Sequence, residues 1–222
     1  MTTSFPRSPR LLKAGLVLLD PATALIERIV VLQYNPDSLQ RSLQVRGAGE
    51  EGDRSEALRL TGPPVETFKL EAELDATDQL AAPPAGSSLA QLSLHSQLAA
   101  LETIVYPTSG QLRRQQTLAE RGMLEITPAE APLVIFVWST KRVLPVRITD
   151  LSITEEAFDP DLNPLRAKVS LGLRVLSAHD LGSGHRGASL FTVHHQGKEI
   201  LARVSQITQL SQAPLGITRV IP

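Results

Sequence analysis

Asp159, Asp161 and Asn163, in the stretch DPDLNP, occupy alternate positions, as the oxygen ligands of a calcium loop do. Such a loop also needs a glycine at its sixth position, for a sharp turn, and a bidentate glutamate at its twelfth. Pro164 and Ser170 stand there instead. Asp, Asn and Pro in this density are turn chemistry, so the stretch reads as a proline-stiffened corner between two strands. Glu155 and Glu156, beside Asp159, could form a carboxylate pair for acid–base work. Neighbours along a strand point to opposite faces, however, so the two cannot share a substrate. The five histidines are His95, His179, His185, His194 and His195. None falls in the i, i+3 or i, i+4 relation that places two ligands on one helix face, and no HExxH occurs. GAGEEG (47–52) lacks the Lys-Ser/Thr pair of a phosphate loop, and no GxSxG elbow surrounds Ser139 or Ser205. The basic run between Gln111 and Gln116 has no interleaved aromatics for stacking on bases. The expectation is therefore no catalytic residue, no cofactor, no metal and no nucleic acid. The chain is not expected to be an enzyme.

The bulk properties agree with that direction. A chain of 222 residues suffices for one sizeable core, or for one domain plus an extension. Hydrophobic residues at 42% and charged residues at 20% describe an ordinary globular protein. A net charge of −1 supplies no general field toward nucleic acid or an anionic membrane. Without a single cysteine there is no disulfide framework or thiolate site, which suits folding in a reducing cytoplasm. PRSPRLLKAGLVLL begins like a leader, but Lys13 splits the apolar run and Asp20-Pro21 closes it. No stretch approaches the roughly 18 apolar residues of a membrane helix, so neither export nor membrane insertion is expected.

The elements that must position these side chains have mostly a period of two. RIVVLQY (28–34) reads as a strand broken by Asn35-Pro36. SLQRSLQVR (38–46) places Leu39, Leu43 and Val45 on one face, the alternation of a half-buried antiparallel strand. Residues 47–64 read as an exposed loop with a short strand near Leu58 and Leu60. In VETFKLEAELD (65–75), Phe68, Leu70, Ala72 and Leu74 oppose Lys69, Glu71 and Glu73. The continuous apolar run Leu133 to Trp138 suits a strand covered on both sides. Ser139-Thr140-Lys141 then turns it into RVLPVRITDLSI as a hairpin. RAKVSLGLRVL is the clearest alternation, with Ala167, Val169, Leu171, Leu173 and Val175 inward. Leu94, Leu98, Leu101 and Val105 mark a helix over 89–106, with a Ser88/Gln91 capping box and Pro107 as its stop. Leu190, Val193, Ile200, Leu201 and Val204 form a weaker helical stripe over 189–204, interrupted by Gly197. Residues 108–131 read as a long mobile loop. Six or seven strands and a flanking helix give a mainly β, α+β fold, best satisfied by a small closed or split β-barrel.

Several stretches together resemble one family. They are LQYNPDSLQRSL (32–43), VETFKLEAELDATDQL (65–80), LAALETIVYP (98–107), residues 132–176 from PLVIFVWSTKR through EEAFDPDLNPLRA to LRVL, and KEILA from Lys198. They look like the tube-like domain of the baseplate adaptors of contractile injection systems, which are phage-tail-like particles. The resemblance implies a β-barrel related to phage tail-tube and type VI tube proteins. It implies a homohexameric ring that joins the central spike hub to the inner tube, with other baseplate subunits as further partners. Many members add a C-terminal LysM module, which is not evident here. On this reading residues 1–181 form the tube-like domain and 182–222 a helical extension and tail. Assembly takes place in the bacterial cytoplasm before the chain becomes part of the particle. The polar face opposite the barrel interior, with Lys168, Ser170 and Arg174, becomes the interface with neighbours or the lumen. The alternatives are the inner-tube subunit of the same particle and, in another class, a stand-alone ligand-binding β-barrel. The latter is poorly supplied by one Trp, two Tyr and five Phe.

Overall fold

Strands that alternate apolar and polar residues bury their apolar faces against a shared core, and here the sheet curls around it. The computed structural model describes residues 13–20, 23, 25–47, 59–77, 94–122, 131–182 and 184–212. Its strands are β1 Gly15–Leu19, β2 Ile26–Val31, β3 Leu39–Gln44, β4 Val65–Asp75, β5 Leu133–Ser139, β6 Arg142–Phe158 and β7 Pro164–Val175. The helices are α1 Leu94–Glu102, α2 Ser109–Glu120 and α3 Arg186–Gln212. All strand pairs are antiparallel, in the order β2-β1-β5-β6-β7-β4-β3. The apolar segment Gly15–Leu19 is a buried strand between β2 and β5.

The sheet is rolled. β2 and β4 stand five strand spacings apart in it, about 24 Å if flat. Yet Gln33, two residues beyond β2, donates from Nε2 to the Asp75 carbonyl at 2.7 Å. Its Oε1 accepts from the Asp75 amide at 2.8 Å. Two residues and one side chain reach only about 12 Å. Phe68 on β4 and Phe136 on β5, three spacings apart, likewise meet with ring centroids at 5.7 Å. Among the described residues no strand pairs with the outer edges of β2 and β3, so the roll is not closed by a backbone ladder.

The core lies inside this roll. It comprises Phe68, Leu70, Ala72 and Leu74 of β4, Ala167, Val169, Leu171, Leu173 and Val175 of β7, and Phe136 with Leu144 and Val146. Helix α1 touches both β2 and β7 and contributes Leu94, Leu98 and Leu101. Arg28 of β2 holds it by donating to the Ala100 carbonyl at 3.0 Å and to the Thr103 hydroxyl. A second, outer cluster of Leu19, Leu133 and Ile135 packs with Leu176, Leu181 and Leu190. That accounts for the unbroken apolar run of β5: alternate residues serve two separate cores.

Three expectations are corrected here. β3 is an exposed edge strand rather than a half-buried one, with Leu43 and Val45 open to solvent. Within 108–131, read as a loop, residues 109–120 are helix. Thr108 caps it by accepting from the Gln111 amide, and Gln111 returns to the Thr108 amide, a full capping box. α1 stops at Glu102, so Val105 leaves the stripe and is exposed, while Ile104 takes the buried place. The Ser88/Gln91 box and the centres of the 47–64 and 108–131 loops (48–58 and 123–130) lie outside the described residues. Near Leu60 the only pairing described is one bridge to Gly47.

Candidate functional site

The register of β7 between β4 and β6 fixes where the three expected interface residues go. Lys168 lies opposite Glu73 on one side and Thr154 on the other, Ser170 opposite Glu71 and Ser152, Arg174 opposite Thr67 and Arg147. All three share the outer, polar face, as alternation requires. They are not equivalent. The Lys168 ammonium is half-exposed and pairs with Glu156 at 3.1 Å. Arg174 is engaged inside the chain, donating from Nη2 to Asp180 Oδ1 at 2.7 Å. The other Asp180 oxygen accepts from the Ser177 amide at 2.9 Å and its hydroxyl at 2.7 Å. Burial alone would raise the Asp180 carboxyl, but these hydrogen bonds and the Arg174 charge outweigh it and hold it low. Arg174 is thus a fastener for the turn after β7, not a free surface charge.

The outer face carries a device that the strand pattern announces. Along β6 the inward apolar residues are Leu144, Val146 and Ile148, then Leu151 and Ile153. The parity changes because the ladder shifts between Ile148 and Asp150, leaving Thr149 as an extra residue. Gly172 faces this bulge, where a β-carbon would come within 3.0 Å of Asp150 Cβ and 3.1 Å of Thr149 Oγ1. Beside it, the connector 33–38 stands over the polar face and encloses an open cleft of about 1110 Å³. Lys13, Asp37, Glu71, Glu73 and Lys168 line that cleft. Lys168 belongs to it; Ser170 and Arg174 do not.

The DPDLNP corner uses its acid internally. Asp159 Oδ1 accepts from the amides of Asp161 at 2.9 Å and Asn163 at 2.8 Å, and Oδ2 from Asn163 Nδ2 at 2.9 Å. The Asn163 side chain and amide hold the carboxyl below its ordinary value. The corner also forces Leu162 into left-handed backbone at φ 62, with its side chain 78% exposed. Glu156 is drawn to Lys168, away from Glu155. The histidines are dispersed: His185 accepts from the Gly187 amide at 3.1 Å, His195 stacks on Phe191, and His95 and His179 lie elsewhere. Among the described residues no three metal-binding side chains group together, and no helix is long and apolar enough to cross a membrane.

Sequence reasoning missed one arrangement. Glu66 falls on the buried face of β4, in line with Phe68 and Leu70, and its side chain is 5% exposed. A buried carboxylate needs a partner, and Lys198 of α3 supplies one at 3.0 Å, with Arg41 farther off at 3.8 Å. The single acid in an otherwise apolar alternation was the signal. Next to it, burial and then the Lys198 charge depress the His194 imidazole below the ordinary histidine range. These contacts tie α3 to the hairpin of β5 and β6 and to β4. Beyond Lys198 the described side chains of α3, from Glu199 to Ser205, are all exposed.

Residues 20–181 match the family model described as "Contractile injection system tube protein". Among curated proteins nothing matches the sequence. Two solved chains are similar at low identity. One, from "Tail of empty GTA particle computed with helical refinement, C6 symmetry", is 13% identical with a TM-score of 0.26. The other, from "Virion of native gene transfer agent (GTA) particle", is 12% identical with a TM-score of 0.25. Each match covers 73% of this chain and 90% of the other. At such scores neither likeness carries weight for the function of this chain.

Proposed function

This chain belongs to the contractile injection system tube protein family, and from that premise we propose that it forms a ring at the junction of spike and tube. The ring has sixfold symmetry, joins the central spike hub to the inner tube, and meets other baseplate subunits at its rim. Residues 1–181 are the tube-like unit and 182–222 the extension. The role is structural, and assembly takes place in the bacterial cytoplasm before the chain becomes part of the particle. Lys168 and the cleft it lines serve as contact surface, while Ser170 lies between and Arg174 secures the fold.

One observation supports the junction over the tube itself. The matched stretch ends at residue 181, and α3 comes after it as 27 residues of helix whose side chains from Glu199 to Ser205 are exposed. A subunit that stacks only on copies of itself has no use for an added surface of this kind; a ring between two unlike partners has. The second reading, an inner-tube subunit, is favoured by the family's own description. Quantitative mass spectrometry of purified particles separates them. A fixed number of copies per particle, whatever its length, is expected for the ring. Copy number proportional to tube length would establish the tube subunit instead, and intact particles after deletion of the gene would exclude both.

A further inference from the structure

Two features remain unused. At one end of β6, α3 and the β5–β6 turn enclose an apolar groove of about 380 Å³, lined by Val143, Val193, Gly197, Ile200 and Leu201. Its cations are Lys141 and Lys198, and Lys141 makes no ion pair with a described residue. At the other end of β6, the corner after Phe158 presents Phe158 and Leu162, 49% and 78% exposed, among Glu155, Glu156, Asp159 and Asp161. No cation interrupts residues 155–163. The corner is pre-organised by the Asp159 hydrogen bonds and holds Leu162 in left-handed backbone. The conformation closes the β6–β7 hairpin, the Asp159 amide donating to the Asn163 carbonyl and the Leu162 amide to the Asp159 carbonyl, each at 3.0 Å. It leaves a large apolar side chain held outward on a braced turn, as a contact outside the molecule would use it.

We propose that the 158–162 corner of one copy seats in the α3 groove of a second copy, Leu162 entering the apolar floor and the corner's carboxylates facing Lys141. This deepens the ring reading and rests on its premise that copies associate. The occupant is another molecule because distance excludes the chain's own corner. Groove and corner sit at opposite ends of one 17-residue strand, roughly 50 Å apart at the rise of a β-strand. Charge selects the partner: Glu155 and Asp161 beside the knob, which form no ion pair with a described residue, meet Lys141 at the apolar groove, while Lys198 stays with Glu66 and Glu156 with Lys168. Because knob and groove are different surfaces, the contact is heterologous, and repetition through one rotation closes a ring.

The absence of cysteine makes a direct test possible. Leu162→Cys protein mixed with Leu201→Cys protein is oxidised mildly, and the disulfide dimer is tracked with time. The mixture is expected to cross-link several-fold faster than Leu162→Cys mixed with Gln116→Cys, whose cysteine lies on the exposed face of α2. A chain carrying both Leu162→Cys and Leu201→Cys gives a ladder of multimers. Lys141→Glu in the groove partner slows the reaction, most at low salt. Equal rates for the two mixtures, or a ladder unaffected by Lys141→Glu, would overturn the proposal. If cross-linking fails while deletion of the gene still abolishes particles, the contact is wrong and the ring reading stands.

Discussion

β7 and α3 are both rich in apolar residues, and they use them in opposite ways. In β7, Ala167, Val169, Leu171, Leu173 and Val175 are 0–4% exposed, and the strand is flanked on both sides by backbone ladders. In α3, Val193, Ile200, Leu201 and Val204 are each more than half exposed. Among the described residues of α3, Ala188 is buried, and Phe191 and Leu190, partly buried, pack against the inner and outer cores. A helix in water owes most of its stability to packing one face against something. Among the described residues, β7 is therefore packed on its inner face and both edges, whereas α3 from Glu199 to Ser205 is exposed. The difference separates a strand whose apolar residues make the core from a helix most of whose apolar residues do not.

The largest effect tests the first half of that contrast. Leu171→Asp places an unpaired charge among Leu70, Leu151 and the other core residues, a loss of more than about 4 kcal/mol. Circular dichroism should find no cooperative melt, and a melt near the parent's would place Leu171 outside the core. Next comes the tether between the two regions. Lys198→Met leaves Glu66 buried with only the distant Arg41, at a loss of about 1–3 kcal/mol. Hydrogen exchange should quicken over 190–198 and remain slow in β7; unchanged exchange in α3 would show that the ion pair does not hold it. The third change sharpens the second half. Ile200→Ser with Val204→Ser should alter the subunit's urea midpoint by no more than about 0.5 kcal/mol equivalent, yet leave few complete particles by electron microscopy. Normal particle numbers would remove α3 from the assembly surface.

The smallest effect is on pH. His194 has a folded-state value below the ordinary 6.5. The unfolded chain therefore takes up its proton first as pH falls below 6.5, and the stability that the neutral imidazole contributes declines from there downward. His194→Gln should flatten this slope between neutrality and pH 5.5 or so. An equal slope in both proteins would assign it to other groups.

How much of this was legible in the sequence depends on how each residue is surrounded. β4 and β7 are readable because one face of each meets the core and the other meets solvent, so burial and sequence share a period. β3 alternates too, but as an edge strand it has little to pack against; Leu39 alone is partly buried, and its pattern promised a core that geometry does not provide. α2 has no buried residue, so no apolar stripe betrayed it. Its signature was local, Thr108 and Gln111. The bulge in β6 leaves a trace in the sequence, the step from Ile148 to Leu151, which reading RVLPVRITDLSI as a plain strand passes over. The outer-face residues were legible only as polar: alternation places Lys168, Ser170 and Arg174 on one face, while it takes the position of Asp180 to reveal that Arg174 is already engaged. The Lys198–Glu66 pair joins residues 132 positions apart, and the groove joins residues 140–143 to residues 190–201, which no local period encodes.

The double hydrogen bond from Gln33 to Asp75 has one more consequence. Where a ladder would fix two neighbouring strands at about 4.8 Å, this seam is spanned by one amide on rotatable bonds. Its two bonds can persist while the side chain swings through its torsions. The spacing along that line is accordingly set by side-chain torsions rather than by a backbone rung, as the overlap of a belt is set by its buckle.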